Sequence, residues 1–357
     1  MVPLYQQIKQ ALRDEIDGGR FDPAEPFVTQ REVCERFGVS SITAVRALND
    51  LVADGVLIRR RGVGTFVAPS RRRDPNPGTI ACIVNALHGL RGAHLASILT
   101  AAEEICADQG YQLFLQNSAE STEREEVALR RALNLGVDGI LLYPVQGRSA
   151  SDVYAEAGRR QVPLVMIDRY RPDVPTDAVV ADNVDLGLRI TDRLIGIGHQ
   201  RIATLWGETE CTSVTDRHAG HLQSLRRAGL PVRPDLVALR PYEPLEEKRR
   251  LAMLSGLLRS AEPPTVLLCA NGYVLAIVAH DLARLGRRIP DDIQLACMDD
   301  SGPYETLPLA AEAVLPSAEL GRRATELLIE RITQKASGPP QQVVLPVQVR
   351  EARTTSL

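Results

Sequence analysis

At 357 residues, 44% of them hydrophobic and 24% charged, the chain has room for two or three domains with ordinary cores, and a disordered or fibrous polymer is excluded. Its formal charge is −3, but residues 1–73 hold 12 Lys and Arg against 9 Asp and Glu, while the rest holds 30 against 36. A basic head on an acidic body is expected where one end meets a polyanion such as nucleic acid.

In residues 2–18, Leu4, Tyr5, Ile8, Leu12 and Ile16 recur at helical spacing along one face, and Gly18-Gly19 ends the helix. After a turn bearing Pro23 and Pro26, Thr29 caps a second helix, and Glu32 three residues on completes a capping box. Val33 and Phe37 form its inner face and Gly38 stops it. Ser40 opens a third helix with Ala44, Ala47, Leu48 and Leu51 turned inward, and Asp54-Gly55 ends it. Two short strands, 56–60 and 65–68, are joined by Arg61-Gly62-Val63-Gly64.

Three helices and a hairpin in this order make a winged helix-turn-helix. The third helix then presents Ser40, Ser41, Thr43 and Arg46 to a DNA major groove, which is wide enough to admit a helix. The wing carries Arg59, Arg60 and Arg61, and the glycines Gly62 and Gly64 let its tip turn tightly against a duplex. An arginine run alone is more often a solvated face; its position after a helix-turn-helix favours DNA. Residues 2–68 closely resemble the GntR-type DNA-binding domain. The resemblance lies in Pro3-Leu4-Tyr5-Gln6-Gln7-Ile8, Gly38-Val39-Ser40, Thr43, Arg46-Ala47-Leu48, Leu51, Asp54-Gly55 and Gly62-Val63-Gly64-Thr65-Phe66-Val67. It implies that Arg31 also contacts DNA. The chain departs from the family at Ser41 and Val45, where arginines are common, so the family's base preference does not carry over.

Pro69, Pro75, Pro77 and Gly78 bar a helix or a sheet strand, so 1–69 reads as the head, 70–78 as an extended linker and 79–357 as the body. Arg71, Arg72 and Arg73 in the linker either touch phosphates or are simply solvated. In the body, strand-like runs at 80–84, 113–115, 139–143, 164–167, 178–180, 202–205, 266–268 and 294–298 alternate with helical segments at 94–109, 121–135, 185–197, 216–229, 245–260, 273–286 and 317–334. Such alternation means parallel sheets covered on both faces. The expected fold class is therefore a small α+β winged helix-turn-helix followed by a two-lobed α/β core. Ligands of such folds sit beyond the carboxyl ends of the strands, here in the cleft between lobes.

No apolar run nears the roughly 20 residues that cross a bilayer, and residues 1–8 lack the apolar stretch of a secretion signal. A cytoplasmic protein with no membrane partner is expected. The six cysteines (34, 82, 106, 211, 269, 297) include no Cys-x-x-Cys and read as reduced, buried thiols. His218 and His221 lack a third ligand at useful spacing, and Asp299 and Asp300 point to opposite sides of their strand end. There is no dinucleotide fingerprint, Walker loop or nucleophile elbow. Neither an enzyme, a cofactor nor a metal is expected.

Arg217, Asn271 and Asp299 each stand just after a strand or at the start of a helix, and offer the fork, amide and carboxylate that hydroxyl-rich ligands need. Singly, each is more often a helix cap or a surface residue. The body resembles the effector-binding core of LacI-type repressors, which is similar to periplasmic sugar-binding proteins. The match runs through Asp138-Gly139-Ile140-Leu141-Leu142, Pro163-Leu164-Val165-Met166-Ile167-Asp168-Arg169, Asp182-Asn183 with Gly187, Gly198-His199-Gln200-Arg201-Ile202-Ala203, Arg217, Gly220, Ala270-Asn271, Ile289-Pro290-Asp291-Asp292-Ile293, Asp299-Asp300 and Arg350-Glu351-Ala352-Arg353-Thr354-Thr355. The resemblance implies lobes of 79–167 with 301–336, and 168–300 with 337–357, and that Arg217, Asn271 and Asp299 bind effector hydroxyls, with Asn85, Gln146 and Arg169 in the same cleft. Arg91 stands where the family has an aromatic-rich segment, and either favours an anionic ligand or points outward.

A GntR-type head on a LacI-type body resembles the hybrid regulators of the arabinose-repressor kind. It implies a homodimeric transcription repressor that binds double-stranded operator DNA under the control of a sugar, polyol or sugar acid. A sugar-binding receptor and a sugar-modifying α/β enzyme are the rival readings.

Overall fold

The computed structural model of the chain describes residues 3–18, 26–53, 57–60, 64–67, 78–86, 93–147, 152–299, 307–334 and 337–351, with residues 17, 18, 53, 60 and 351 described by their backbone alone. The chain divides into two compact units, Met1–Asn76 and Pro77–Leu357.

In the first unit, α1 (Leu4–Gly18), α2 (Gln30–Phe37) and α3 (Ser41–Ala53) precede a hairpin of β1 (Leu57–Arg60) and β2 (Gly64–Val67). The apolar spacing explains the packing: Ile8 and Leu12 of α1 meet Val33 of α2 and Ala44, Ala47, Leu48 and Leu51 of α3 in one core, closed by Leu57 and Val67 of the hairpin. Thr29 starts α2 with both halves of a capping box, accepting from Glu32 N at 3.2 Å while Glu32 Oε2 accepts from Thr29 N at 2.6 Å. Gly38 ends α2 at φ 62°, a left-handed turn that glycine adopts without Cβ strain, and this fixes the sharp step into α3.

The second unit runs β3 (Gly78–Val84), α4 (Ala93–Asp108), β4 (Tyr111–Asn117), α5 (Thr122–Leu135), β5 (Gly139–Leu142), α6 (Asp152–Arg159), β6 (Leu164–Ile167), β7 (Asp177–Ala181), α7 (Asn183–Gly196), β8 (Ile202–Leu205), α8 (Thr212–Arg227), α9 (Pro234–Val237), α10 (Glu247–Leu258), β9 (Val266–Cys269), α11 (Gly272–Arg284), β10 (Gln294–Cys297), β11 (Leu309–Val314), α12 (Ser317–Ile332), β12 (Gln342–Leu345) and β13 (Gln348–Glu351). They form two sheets. One has the order β12-β7-β6-β5-β3-β4, all parallel; the other has the order β13-β11-β10-β9-β8, parallel except for β13.

The inner strands β3, β5, β6 and β7 of the six-stranded sheet are largely apolar on both faces because both are covered. Ile80, Cys82, Leu141, Val165 and Val179 pack under α4 and α12, while their neighbours Ala81, Ile83, Ile140, Met166 and Ala178 pack under α5 and α6. The five-stranded sheet has one continuous core that includes Trp206 and Tyr242.

The expected lobe boundaries need correction. β7, placed in the second lobe by sequence, pairs with β6 in the first; β11, placed in the first lobe, pairs with β10 in the second; β12 returns to the first lobe and pairs with β7. Sheet membership is set by hydrogen bonding to strands far away in sequence, and a local pattern carries no trace of it. Among the described residues the chain therefore passes between lobes at three places: after β7, between β11 and α12, and between β12 and β13. The first and third crossings are joined by Asp182 N donating to Leu345 O at 2.8 Å.

The cysteines are free thiols, five of them buried and Cys34 half-buried. No helix among the described residues is long and apolar enough to cross a membrane.

Candidate functional site

In the first unit, α3 turns a polar edge outward. Ser40 caps it, its Oγ lying 3.0 Å from Thr43 Oγ1 and accepting from Thr43 N at 3.4 Å. Ser41 Oγ accepts from Gln30 Nε2 of α2, so the first turns of the two helices form one surface. The Arg46 guanidinium lies over the Tyr5 ring, 4.1 Å from its centroid, and part of its charge is spent on α1. Arg31 is 87% exposed and pairs with Glu35 at 3.3 Å, a solvated contact easily exchanged for phosphate. On the hairpin, Arg59 is exposed and stands opposite Thr65, and Arg60 stands opposite Gly64. The Arg60 side chain, Arg61 and Gly62 lie outside the described residues.

In the second unit, side chains from both lobes converge beyond the carboxyl ends of the parallel strands. From the six-stranded lobe come His94 in the first turn of α4, Tyr143 after β5, and Asp168 and Arg169 after β6. Asp168 is the hub. Its Oδ1 meets His94 Nε2 at 3.1 Å and its Oδ2 accepts the Tyr143 hydroxyl at 2.9 Å, with the backbone held at φ 68°. His94 Nδ1 in turn meets Ser317 Oγ at 2.8 Å. Ser317, His94 and Asp168 have the order of a hydroxyl, a base and a carboxylate, but Ser317 opens α12 at a lobe crossing, so the series joins the cleft to that crossing.

From the five-stranded lobe, Glu208 after β8 accepts from Arg169 Nη1 at 2.8 Å, an ion pair across the cleft. The Arg169 guanidinium also stacks 4.6 Å from the Tyr143 ring centroid, and its Nε is buried without a hydrogen-bond partner. Gln146 Oε1 accepts from the backbone N–H of Thr209 at 3.2 Å and of Glu210 at 3.3 Å, a second tie between lobes. A cavity of about 220 Å³ opens beside these ties, lined by Val145, Gly147, Arg169, Arg171, Glu210 and Thr212 among others. Another, of about 290 Å³, lies at the opposite ends of β6 and β7, where Asp177 and Arg331 already satisfy each other.

The charges hold one another. Burial alone would raise the Asp168 carboxyl, but the charge and hydrogen bond of His94, with Arg217 and Arg169 behind, hold it well below the ordinary value. Burial alone would lower His94, but Asp168 and then Asp299 raise it, against Arg217. Burial and the Asp168 charge push the Tyr143 phenol well up, so it stays a donor.

Arg217, Asp299, Arg169 and Asp168 are thus brought into one electrostatic cluster. Arg217 is only 6% exposed; its Nε donates to Asn183 Oδ1 at 2.8 Å and its Nη1 to Ala270 O at 3.2 Å. Two glycines put it there. A Cβ on Gly187 would stand 2.0 Å from Arg217 O and one on Gly220 2.1 Å from Val184 O, so α7 and α8 touch backbone to backbone. Asn271 caps α11, its Oδ1 accepting from Val274 N at 2.8 Å. Asn85 Oδ1 accepts from Glu120 N at 2.7 Å and ties β3 to the loop before α5. Arg91 and Asp300 lie outside the described residues.

His94, Tyr143 and Glu208 escape the sequence reading, although Tyr143 ends a strand-like run and His94 stands beside the segment where the resemblance breaks. His218 and His221 do not form a pair: one meets Val237 O at 2.7 Å and the other Thr191 Oγ1 at 2.8 Å. The His221 ring is held down to about 3 by burial. No group of three metal-ligating side chains occurs among the described residues.

Residues 4–67 match the bacterial regulatory proteins, gntR family, and residues 191–355 match the periplasmic binding protein-like domain. The arabinose metabolism transcriptional repressor of Geobacillus stearothermophilus is 28% identical over 349 residues, covering 94% of this chain and 93% of that protein. The HTH-type transcriptional repressor PurR of Haemophilus influenzae (strain PittEE) is 30% identical over 251 residues, 70% of this chain and 73% of that protein. These relatives are transcriptional repressors, not enzymes. Among solved structures, a putative ribose operon repressor from Burkholderia thailandensis has a TM-score of 0.67 at 24% identity, over 76% of this chain and 98% of that one. The transcriptional regulator CelR–cellobiose complex has a TM-score of 0.67 at 21% identity, over 98% and 99%.

Proposed function

We propose a ligand-controlled DNA switch, on the premise that the chain belongs to the bacterial transcriptional repressors that join a gntR-family head to a periplasmic-binding-protein-like body. The head binds DNA, and the body takes a small, uncharged, hydroxyl-rich effector in the cleft. The observation that carries this reading is the cluster drawn from both lobes: buried Asp168, Arg169 and Arg217 with half-buried Tyr143, Glu208 and Asp299. Its donors and acceptors are fixed, and its charges cancel in pairs, Arg169 with Glu208 and His94 with Asp168. A cluster so balanced favours hydroxyls over a carboxylate or phosphate, because a second anion beside Asp168, Glu208 and Asp299 is repelled. The buried Nε of Arg169 is a donor that a ligand oxygen would satisfy.

An oxygen that draws on Arg169 weakens its bond to Glu208, so occupancy changes how the lobes meet at the three crossings. In a homodimer with two heads on one operator, that change alters the spacing of the heads. A 100-fold change in DNA affinity requires only ~2.7 kcal/mol of coupling. The similarity to the arabinose metabolism repressor and to a cellobiose-bound regulator supports a sugar.

The test is a thermal-shift screen of the full chain against neutral sugars, polyols and sugar acids, followed by DNA binding with each hit. A neutral sugar at 100 times its Kd adds ~2.7 kcal/mol of stability and changes DNA affinity. A response confined to sugar acids, or no response to any of the three classes, overturns the reading of the cleft.

A further inference from the structure

The outward edge of α3 holds one group that neither phosphate contact nor the head's own packing explains. Ile42 is 82% exposed, more than any other large hydrophobic side chain among the described residues; the next is Val127 at 66%. It lies in the first turn of α3, between Ser41 and Thr43, on the side away from the buried stripe of Ala44, Ala47, Leu48 and Leu51. Half-buried Val45 follows one turn on, so an aliphatic edge runs beside the polar one. The Arg46 guanidinium, one turn on from Ile42, lies over the Tyr5 ring of α1.

In the major groove, bases present hydrogen-bonding groups and a single apolar feature, the C5 methyl of thymine. Residues in the first turn of the reading helix are those that reach base edges. We propose that Ile42 is a specificity-determining residue that recognises thymine through its methyl group, with Val45 extending the same apolar contact. This rests on α3 being the helix that reads DNA. An apolar reader at this place replaces the reach of long cationic side chains, which α3 lacks at Ser41 and Val45.

The test begins with selection of duplexes from a random pool by the full wild-type chain. Each thymine of the selected duplex is then replaced in turn by uracil, which removes only the methyl. Wild type loses about four-fold in affinity at one or two thymines per half-site, the worth of one buried methyl. Ile42→Ala binds thymine and uracil alike at those positions, and Ile42→Val restores the preference. Exposed as Ile42 is, neither variant disturbs the core, and circular dichroism checks this. Uracil tolerated at every position by wild type, or an equal loss in Ile42→Ala, overturns the proposal while leaving α3 as the reading helix. A wild-type chain that enriches no duplex overturns both.

Discussion

Asp168 shows how much one residue can hold. It sits in the left-handed backbone region at φ 68°, which costs most side chains on the order of 1 kcal/mol and Asp or Asn least. Asp168→Asn therefore removes the charge without disturbing the turn. The sign of the pH dependence follows from both partners. His94 has its pKa raised in the fold, so its share of stability is complete below about 6.5 and fades as pH rises through the raised value. Asp168 has its pKa lowered, so its share is present above about 3.8 and fades only as pH falls well below that. Asp168→Asn should thus cost about 3–5 kcal/mol between these limits, the loss typical of breaking a buried pair. The gap from wild type should narrow toward alkaline pH. Denaturant unfolding across pH measures it, and a gap independent of pH would refute the pairing.

At the scale of elements, the crossing of α7 and α8 governs where Arg217 stands. The two helices meet through glycines, so Gly187→Ala forces them apart and should destabilise the body by about 1–3 kcal/mol. Gly196→Ala, at the exposed end of the same helix with nothing within 4 Å of the added carbon, should instead be neutral or stabilise by up to about 1 kcal/mol. Thermal unfolding of both variants separates close packing from helix propensity; the reverse order would mean that α7 and α8 do not meet as described. The α12 crossing of α4 has the same build, with a Cβ on Gly321 falling 2.2 Å from Ile98 O. Each lobe thus uses a small-residue crossing to bring one polar helix end to the cleft, Arg217 in one and His94 in the other.

For the whole molecule, the proposed switch gives the two units separable tasks. Asp299→Ala should leave DNA affinity in the absence of ligand within about two-fold of wild type, because Asp299 belongs to the body and not to the DNA-reading head. It should also abolish the ligand's effect on that affinity. DNA binding with and without the sugar found by screening reads both, and a normal ligand response would remove Asp299 from the site.

Local pattern determined much of this protein. The helix stripe at Ile8 and Leu12, the capping box at Thr29 and the glycine at 38 specify the head almost alone, because capping and amphipathic spacing act within a few residues. The alternation of strands and helices specifies parallel sheets for the same reason, and Arg217, Asn271 and Asp299 are ligand-binding candidates by residue type and position alone. Tertiary structure decided the rest. β11, Leu-Ala-Ala-Glu-Ala-Val, has the composition of a helix and becomes a strand because β10 and β13 supply its hydrogen bonds. Asp168 draws its meaning from His94 and, through it, Ser317, residues 74 and 149 positions away, and Arg169 from Glu208 in the other lobe. Which charges neutralise one another depends on three crossings between sheets, and a crossing is a long-range pairing that no run of neighbouring residues encodes.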